Sequence, residues 1–212
     1  MRAPIVVLST TVLWVLASVC LADEVAKLST KQLIERLVSK NAEPKGIDPG
    51  KERPMKPPPN YDSQHQDSIY EAWNELLKRD DADIATLLKS VSDRRYSVTE
   101  DAAGFGMVNL SAGEVCARII SSKLDVHRQF TRQPGLPSYT YDVILAEPHK
   151  WLESHQDIPL LELQKESIEW WIQQESEEVP AKLRTKVRES HKLLLETQKP
   201  FTPQEHRPER RF

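Results

Sequence analysis

The fold is decided by residues 73–124, which read WNELLKRDDADIATLLKSVSDRRYSVTEDAAGFGMVNLSAGEVCARIISSKL. With the residues just before it, this stretch repeats apolar side chains at helical spacing in two successive stripes. The two stripes are Ile69, Tyr70, Trp73, Leu76 and Leu77, and then Ile84, Leu87, Leu88 and Val91. A polar break at residues 78–81 separates them, and Asp80 or Asp81 can cap the second helix. The sequence therefore predicts two short helices joined by a tight turn.

A third helix has the most specific start signal in the chain. Ser111 is followed three residues later by Glu114, which is the spacing of a capping box. The apolar residues that follow share one helical face and are Val115, Cys116, Ile119 and Ile120. We expect this face to pack against the first two helices. Cys116 is then a buried small apolar residue rather than a nucleophile served by His127.

Residues 68–97 resemble one unit of a HEAT-like helical repeat. The resemblance is carried by a leucine-rich helix at residues 87–91, which runs into an acid-then-arginine turn at residues 93–95. It covers a single helix pair, because no second copy follows at the spacing of about 40 residues that such repeats show. The resemblance implies helix-pair packing and, by analogy with that family, binding to another protein.

The N-terminus has the three-part form of a secretory signal. Arg2 precedes an apolar run, and small residues end the segment at Ala22. We expect residues 1–22 to be removed as a signal peptide, so that the mature chain is exported to a periplasm or secreted. An uncleaved membrane anchor is the alternative, but polar residues 9–11 leave the run short of the ~20 apolar residues of a spanning helix. No stable membrane insertion is therefore expected after cleavage.

Composition sets broad limits on the function. The 212 residues are 39% hydrophobic and 29% charged, which suits one ordinary domain once flexible parts are removed. A net charge of -3 argues against nucleic acid as a partner. Removal of the signal peptide takes away Cys20 and leaves Cys116 alone, so no internal disulfide is expected.

The composition also divides the mature chain into four parts. Residues 23–43 predict an outlying N-terminal helix, and residues 44–66 are a proline-rich linker. Residues 67–199 hold the apolar stripes and form the helical domain. Residues 200–212 contain three prolines and a basic end, and we expect a disordered tail there.

The second half of the domain predicts one extended segment, which packs over the helices without a partner strand, and further helices. Residues that alternate like a short strand are Tyr139, Tyr141, Val143 and Leu145. Pro148 has the position of a first helical residue. Two apolar stripes, broken at Val179 and Pro180, then predict a C-terminal helical hairpin. The stripes are Leu161, Ile168, Trp171 and Ile172, and then Leu183, Val187, Leu194 and Leu195.

The sequence holds no recognised catalytic motif. No two of its six histidines have the one-turn spacing of helical metal ligands, and no phosphate loop or dinucleotide fingerprint occurs, so neither metal nor cofactor is expected. The polar cluster at residues 93–97 offers donors for an anion or carboxylate. The candidate binding residues are Arg94, Arg95, Tyr96 and, from a glycine-flanked loop, Phe105. The structural alternative is that the arginines cap carbonyls or pair with a neighbouring acid, and we expect this for Arg95.

These signals predict an all-α fold, with a central three-helix unit, a C-terminal helical hairpin and a proline-rich linker. For function they favour a non-catalytic exported protein that binds another protein. An exported hydrolase built on residues 93–96 is the alternative, and a binder of an anion or small ligand in the same cleft is the third possibility. A pocket with an apolar wall near Arg95 would favour the hydrolase or the ligand binder. A flat helix face there would favour the protein that binds another protein.

Overall fold

The computed structural model describes most of the chain after the predicted signal peptide. The described residues are 24–45, 58–79, 84–101, 107–131, 135–155, 157–174, 179–203 and 205–206. The predicted signal peptide, the capping role of Asp80 or Asp81, and Phe105 lie outside these residues. Within the described ranges, no helix is both long and apolar enough to cross a membrane.

The described chain is mostly helical. Its α-helices are α1 (Thr30–Arg36), α2 (Ser63–Lys78), α3 (Ile84–Lys89), α4 (Ala112–Leu124), α5 (Pro148–His155), α6 (Leu160–Gln173) and α7 (Ala181–Thr197). A 3-10 turn, Val126–Gln129, follows α4. Helix α2 begins before the predicted domain boundary at residue 67, because the Asp62 carboxylate caps it by accepting the His65 amide at 3.0 Å.

Helices α2, α3 and α4 form the central unit that the apolar stripes predict. Helix α4 contacts both of the others. Trp73 on α2 and Leu88 on α3 are buried, and Cys116 and Ile119 on α4 are fully buried. The helical spacing of the apolar residues therefore predicts this part of the core correctly.

The all-α prediction is wrong in one respect, since the chain contains a two-stranded antiparallel ribbon. Its strands are β1 (Tyr96–Asp101) and β2 (Met107–Ser111), which pair Tyr96 with Ser111 and Val98 with Leu110. Residues 97–100 are all at most 4% exposed. Because β1 is buried on both faces, it lacks the alternation of apolar and polar residues by which a strand is recognised in a sequence.

Strand β2 passes into α4 without a loop. The Ser111 hydroxyl accepts the Glu114 amide at 3.2 Å, and the Glu114 carboxylate accepts the Ser111 amide at 2.7 Å, which confirms the capping box. Gly113 donates its amide to the Asp93 carbonyl at 2.9 Å. A Cβ at this position would lie 2.3 Å from the carbonyl oxygen of Val91. A glycine is therefore needed where the end of α3 meets the start of α4.

Helix α1 packs into the main core rather than lying apart from it as predicted. Leu33 and Leu37 are fully buried, and α1 contacts α2. A second capping box starts the helix, with the Ser29 hydroxyl accepting the Gln32 amide at 3.3 Å. This packing could not be predicted, because the proline-rich segment separates α1 from α2 in the sequence. Contacts between residues so far apart in the chain leave no periodic signal.

The segment predicted to pack over the helices in an extended conformation is instead a π-helical turn, Thr140–Ile144. The Leu145 amide donates to the Thr140 carbonyl, five residues back, at 2.9 Å. Tyr139 and Ile144 are buried, whereas Tyr141 is 43% exposed. The alternation was misleading because the two buried hydrophobic residues, Tyr139 and Ile144, lie five apart, a spacing that a π turn brings to one face.

Helices α6 and α7 fold back on each other as the predicted hairpin. They enclose a second hydrophobic cluster, separate from the main core. Its buried members are Val126, Ile168, Trp171, Val179, Leu183, Val187 and Leu194. Pro148 is the first residue of α5, as predicted, and Pro159 precedes α6.

Lys123 is a buried lysine at the end of α4, 1% exposed. Its ammonium donates to the carbonyls of Leu77 at 2.9 Å and Arg79 at 2.6 Å. These carbonyls lie at the C-terminal end of α2, where helices leave acceptors unpaired and favour positive charge. Lys123 therefore joins the end of α4 to the end of α2.

The sequence predicts disorder from residue 200 onward, whereas residues 200–203 and 205–206 lie against the helical body. The side-chain amide of Gln164 is hydrogen-bonded to the backbone of Phe201, and that of Asn74 to the backbone of His206. Both partners are distant in sequence, so local composition carries no sign of these contacts.

Candidate binding cleft

The two neighbouring arginines of the predicted cluster point to different surroundings. Arg95 forms ion pairs with Glu35 of α1 at 2.6 Å and with Asp93 at 2.7 Å. Hydrogen bonds from the guanidinium hold the pKa of both carboxyls below their ordinary values. Arg95 thus connects α1 to the segment before β1, and its donors are already engaged, as the structural alternative expected.

Arg94 lies on the other side, at an open cleft of about 210 Å³. The cleft is lined by Glu43, Arg94, Tyr96, Asn109, Leu110, Ser111 and Glu114. The Arg94 side chain is exposed. Within the described part of the chain its guanidinium has neither an ion pair nor a hydrogen bond. Of the predicted residues, the structure therefore brings Arg94 and Tyr96 together and excludes Arg95 from the cleft.

Asn109 holds one wall of the cleft in place. Its amide nitrogen donates to the Glu43 carboxylate and to the Pro44 carbonyl, both at 2.9 Å. Its amide oxygen accepts the Thr99 hydroxyl at 2.6 Å. One side chain on β2 therefore links β1 to the segment that follows α1, and it positions Glu43 beside Arg94.

Tyr96 and Glu114 are also fixed before any ligand binds. The Tyr96 hydroxyl is 2.9 Å from that of Thr99, and burial raises the pKa of the phenol, which stays neutral at ordinary pH. The Glu114 carboxylate accepts both the amide and the hydroxyl of Ser111, at 2.7 and 2.8 Å. The cleft is thus a rigid polar surface on which Arg94 is the available cation.

The described residues of the cleft can bind charged groups through Arg94, Glu43 and Glu114. The Ser111 hydroxyl is engaged by Glu114, the residue that caps α4 with it. The nearest thiol in sequence, Cys116, is fully buried, and burial raises its pKa to about 12. A thiol with such a pKa is protonated at neutral pH and is not a nucleophile.

Sequence reasoning missed Glu43 and Asn109 as lining residues. Asn109 lies between Val108 and Leu110, and a polar residue flanked in this way points to the opposite face of a strand. That signal could have identified Asn109 had β2 been recognised. Glu43 lies 66 residues before Asn109 and had no local signal.

Three of the described histidines, His155, His191 and His206, each lie beside one glutamate. His155 is 3.1 Å from Glu166, and His206 contacts Glu100. Among the described residues, no three histidine, cysteine or acidic side chains are grouped so that they could hold a metal ion.

Comparison with protein-family models, with curated proteins and with solved structures gives no match for this chain. The resemblance to HEAT-like repeats therefore stays a prediction, and the cleft is interpreted from its own geometry.

Proposed function

We propose that this is an exported, non-catalytic helical protein that binds another protein, and that the Arg94 cleft contacts a carboxylate of that partner. The observation that carries the proposal is the exposed Arg94 guanidinium, which has no partner within the described residues, on a surface whose other polar groups are held in place. A guanidinium offers paired donors that match a carboxylate in a bidentate arrangement.

The shape of the cleft supports a surface contact rather than catalysis. It opens to solvent, and Leu110 is the one apolar residue among those that line it. Catalytic sites use exclusion of water to strengthen their electrostatic interactions, and an open polar cleft gives little of this. The buried, protonated Cys116 thiol also disfavours a cysteine hydrolase.

The charges around Arg94 define the chemistry of the partner. Glu43 and Glu114 lie on the same cleft, and each already accepts a hydrogen bond from the protein. A partner bearing only negative charge would be repelled by these carboxylates. An acidic side chain next to an amide or an amine is accommodated better, because the second group can donate to Glu43.

A second candidate is a small zwitterionic ligand in the same cleft. Arg94 would bind its carboxylate and Glu43 its ammonium. The cleft volume of about 210 Å³ is below the ~300 Å³ at which pockets for drug-sized ligands begin, so an amino acid is the appropriate size.

The test compares three charge-removing substitutions in the tagged full-length chain. Proteins cross-linked to the wild-type chain in its host are identified, and their affinities for purified variants are then measured. We expect Arg94→Gln to weaken binding about 10- to 100-fold, the value of a charge-assisted hydrogen bond. Arg36→Gln, which removes an exposed arginine from α1, is the matched control and should have no effect.

Arg95→Gln tests the structural role of the neighbouring residue. Because the Arg95 side chain is 51% exposed, its loss should lower the free energy of unfolding by less than ~1 kcal/mol and leave the affinity intact. Undiminished binding by Arg94→Gln would contradict the proposal. If no protein is captured but a free amino acid binds in an Arg94-dependent way, the second candidate is favoured. The N-terminal sequence of the recovered protein should begin at Asp23 if residues 1–22 are removed.

A further inference from the structure

The C-terminal segment crosses the surface as an extended peptide held by side-chain amides. We call its described residues, 199–203, 205 and 206, the tail. Gln164 on α6 accepts the Phe201 amide at 2.8 Å and donates to the Phe201 carbonyl at 2.9 Å. Pro203 is buried further along the tail. An amide that binds both the N–H and the C=O of one residue recognises backbone, as a peptide-binding groove does.

The end of the tail occupies an aromatic and acidic slot on α2 and β1. Asn74 binds the His206 backbone in the same two-bond manner, accepting the amide at 2.7 Å and donating to the carbonyl at 3.2 Å. The His206 ring stacks on Trp73 with centroids 3.8 Å apart and an interplanar angle of 3°. Its Nε2 lies 2.5 Å from the buried carboxylate of Glu100.

A short turn joins the tail to α7. This turn directs the tail back across the surface of the same chain. Gln198, the residue after α7, has a φ of 53°, in the left-handed region that a non-glycine residue adopts only at a cost. Pro200 restricts the preceding Lys199 to an extended conformation. If Gln198 took an ordinary negative φ, the tail would leave the surface instead of turning back.

Two exposed leucines lie beside this turn. Leu193 and Leu195 are 47% and 48% exposed, among the most exposed large apolar side chains of the described residues. Both belong to the last turns of α7, five and three residues before Gln198. A neighbouring chain that met α7 at this end would cover them.

We propose that the groove formed by Gln164, Asn74, Trp73 and Glu100 is an interface with a second copy of this chain, whose tail it receives in exchange for its own. Every tail contact described is made to residues at least 37 positions away in sequence, so the tail of another copy can make the same contacts. The exchange relieves the left-handed turn at Gln198 in both chains. It also brings the ends of two α7 helices together, and it is reciprocal, so the assembly closes as a symmetric dimer.

The protein concentration determines whether the wild-type chain is mainly a monomer, with its own tail in the groove, or a dimer with exchanged tails. A short linker holds a tethered segment at an effective concentration of the order of millimolar, which favours the intramolecular arrangement in dilute solution. Relief of two strained turns lowers the concentration at which exchange begins. We expect the wild-type chain to be monomeric at ~1 µM and increasingly dimeric at hundreds of micromolar, as measured by light scattering.

One position allows the turn to be varied in opposite directions. Proline cannot adopt a positive φ, so Gln198→Pro prevents the turn and should give a dimer even at low concentration. Glycine adopts a positive φ without strain, so Gln198→Gly should keep the chain monomeric. Neither substitution touches the groove or the Arg94 cleft.

Cross-linking distinguishes a groove that holds the tail of its own chain from one that holds the tail of a second copy. The Lys78 ammonium and the Glu205 carboxylate are 2.8 Å apart, so a carbodiimide should join them as an amide. Full-length chains labelled with ¹⁵N and unlabelled chains are mixed, unfolded, refolded together, cross-linked and digested. For Gln198→Pro we expect the Lys78–Glu205 product to contain one labelled and one unlabelled peptide in half of the cases, as random pairing of the two chains requires.

A second substitution checks that the dimer depends on the groove. Addition of His206→Ala to Gln198→Pro should return the chain to a monomer, because the tail then loses its contacts with Trp73 and Glu100. The proposal is overturned if Gln198→Pro stays monomeric at all concentrations, or if its cross-linked peptides never combine the two labels. It is also overturned if Gln198→Gly dimerises as strongly as Gln198→Pro.

Discussion

The two hydrophobic clusters of the molecule differ in what surrounds them. Where α3 meets α4, the main core is closed by a backbone contact at Gly113 and by the capping box that starts at Ser111. The smaller cluster under α6 and α7 is bordered by polar side chains. There His127 is buried and stacks on Trp171 with centroids 5.5 Å apart, and the buried Trp171 ring nitrogen has no hydrogen-bond partner among the described residues.

This difference indicates that the two regions respond to different disturbances. A core closed by backbone is sensitive to any atom added at the contact, since the backbone cannot move aside. A cluster bordered by ionisable and amide groups is sensitive to their protonation and hydrogen bonding. The three predictions below test this contrast, beginning with the largest effect.

The largest effect is expected where α4 meets the end of α3. Gly113→Ala would place a Cβ 2.3 Å from the carbonyl oxygen of Val91. We expect the free energy of unfolding to fall by at least ~3 kcal/mol, as in severe overpacking, in spite of the ~1 kcal/mol better helix propensity of alanine. Chemical denaturation measures this loss.

The matched control makes the same substitution in open space. Gly135 has a φ of 79°, and no atom of the described residues lies within 4 Å of a Cβ added there. Gly135→Ala therefore suffers conformational strain alone, of ~1 kcal/mol. Equal losses for the two variants would show that α4 does not approach α3 as closely as described.

The second prediction concerns acid sensitivity of the smaller cluster. Burial lowers the pKa of His127 from 6.5 to about 4, so the folded protein holds the imidazole neutral while the unfolded chain binds a proton below pH 6.5. The contribution of His127 to the free energy of unfolding is fully present above pH 6.5 and is lost as the pH falls toward 4. We expect a loss of ~2–3 kcal/mol over this window, measured by denaturation at a series of pH values.

His127→Gln provides the comparison for that profile. Glutamine does not titrate, so the variant should lose less stability than the wild type between pH 6.5 and 4, whatever its stability at pH 7. Parallel pH profiles for the two proteins would contradict the assignment. Cys116, the buried thiol of the main core, does not titrate in this range, because burial raises its pKa to about 12.

The smallest effect is expected at the two capping boxes of the main core. Ser111→Ala and Ser29→Ala each remove a hydroxyl that accepts an amide at a helix start, at 3.2 and 3.3 Å. Each should lower the free energy of unfolding by ~1 kcal/mol, measured in denaturant. Thr185→Ala removes a hydroxyl that bonds only within α7 and should cost much less. A negligible loss for Ser111→Ala would show that the box contributes nothing to stability.

The features that could be predicted from the sequence are those determined by near neighbours. The stripe around Trp73, the capping box at Ser111 and the α6–α7 hairpin all depend on residues a few positions apart, and all three occur in the structure. Such signals are strong because helical periodicity and caps repeat within single elements.

The features that were missed depend on contacts between distant residues. Strand β1 is buried on both faces and shows no alternation, and the approach of α1 to α2 spans the proline-rich segment. In the cleft, Arg94 and Tyr96 could be proposed because they are adjacent to each other. Glu43 and Asn109 could not, because only the folded ribbon brings them together.

The buried amine of Lys123 has a practical consequence for following unfolding. Amine-reactive reagents modify a lysine only when its nitrogen reaches solvent, and this nitrogen is enclosed between α4 and the end of α2. Local fraying of the tail or of the hairpin leaves it covered, so acylation of Lys123 requires separation of the central helices. In a mass-spectrometric time course the exposed lysines are therefore modified at once. The rate at which Lys123 is modified measures how often the central helices separate.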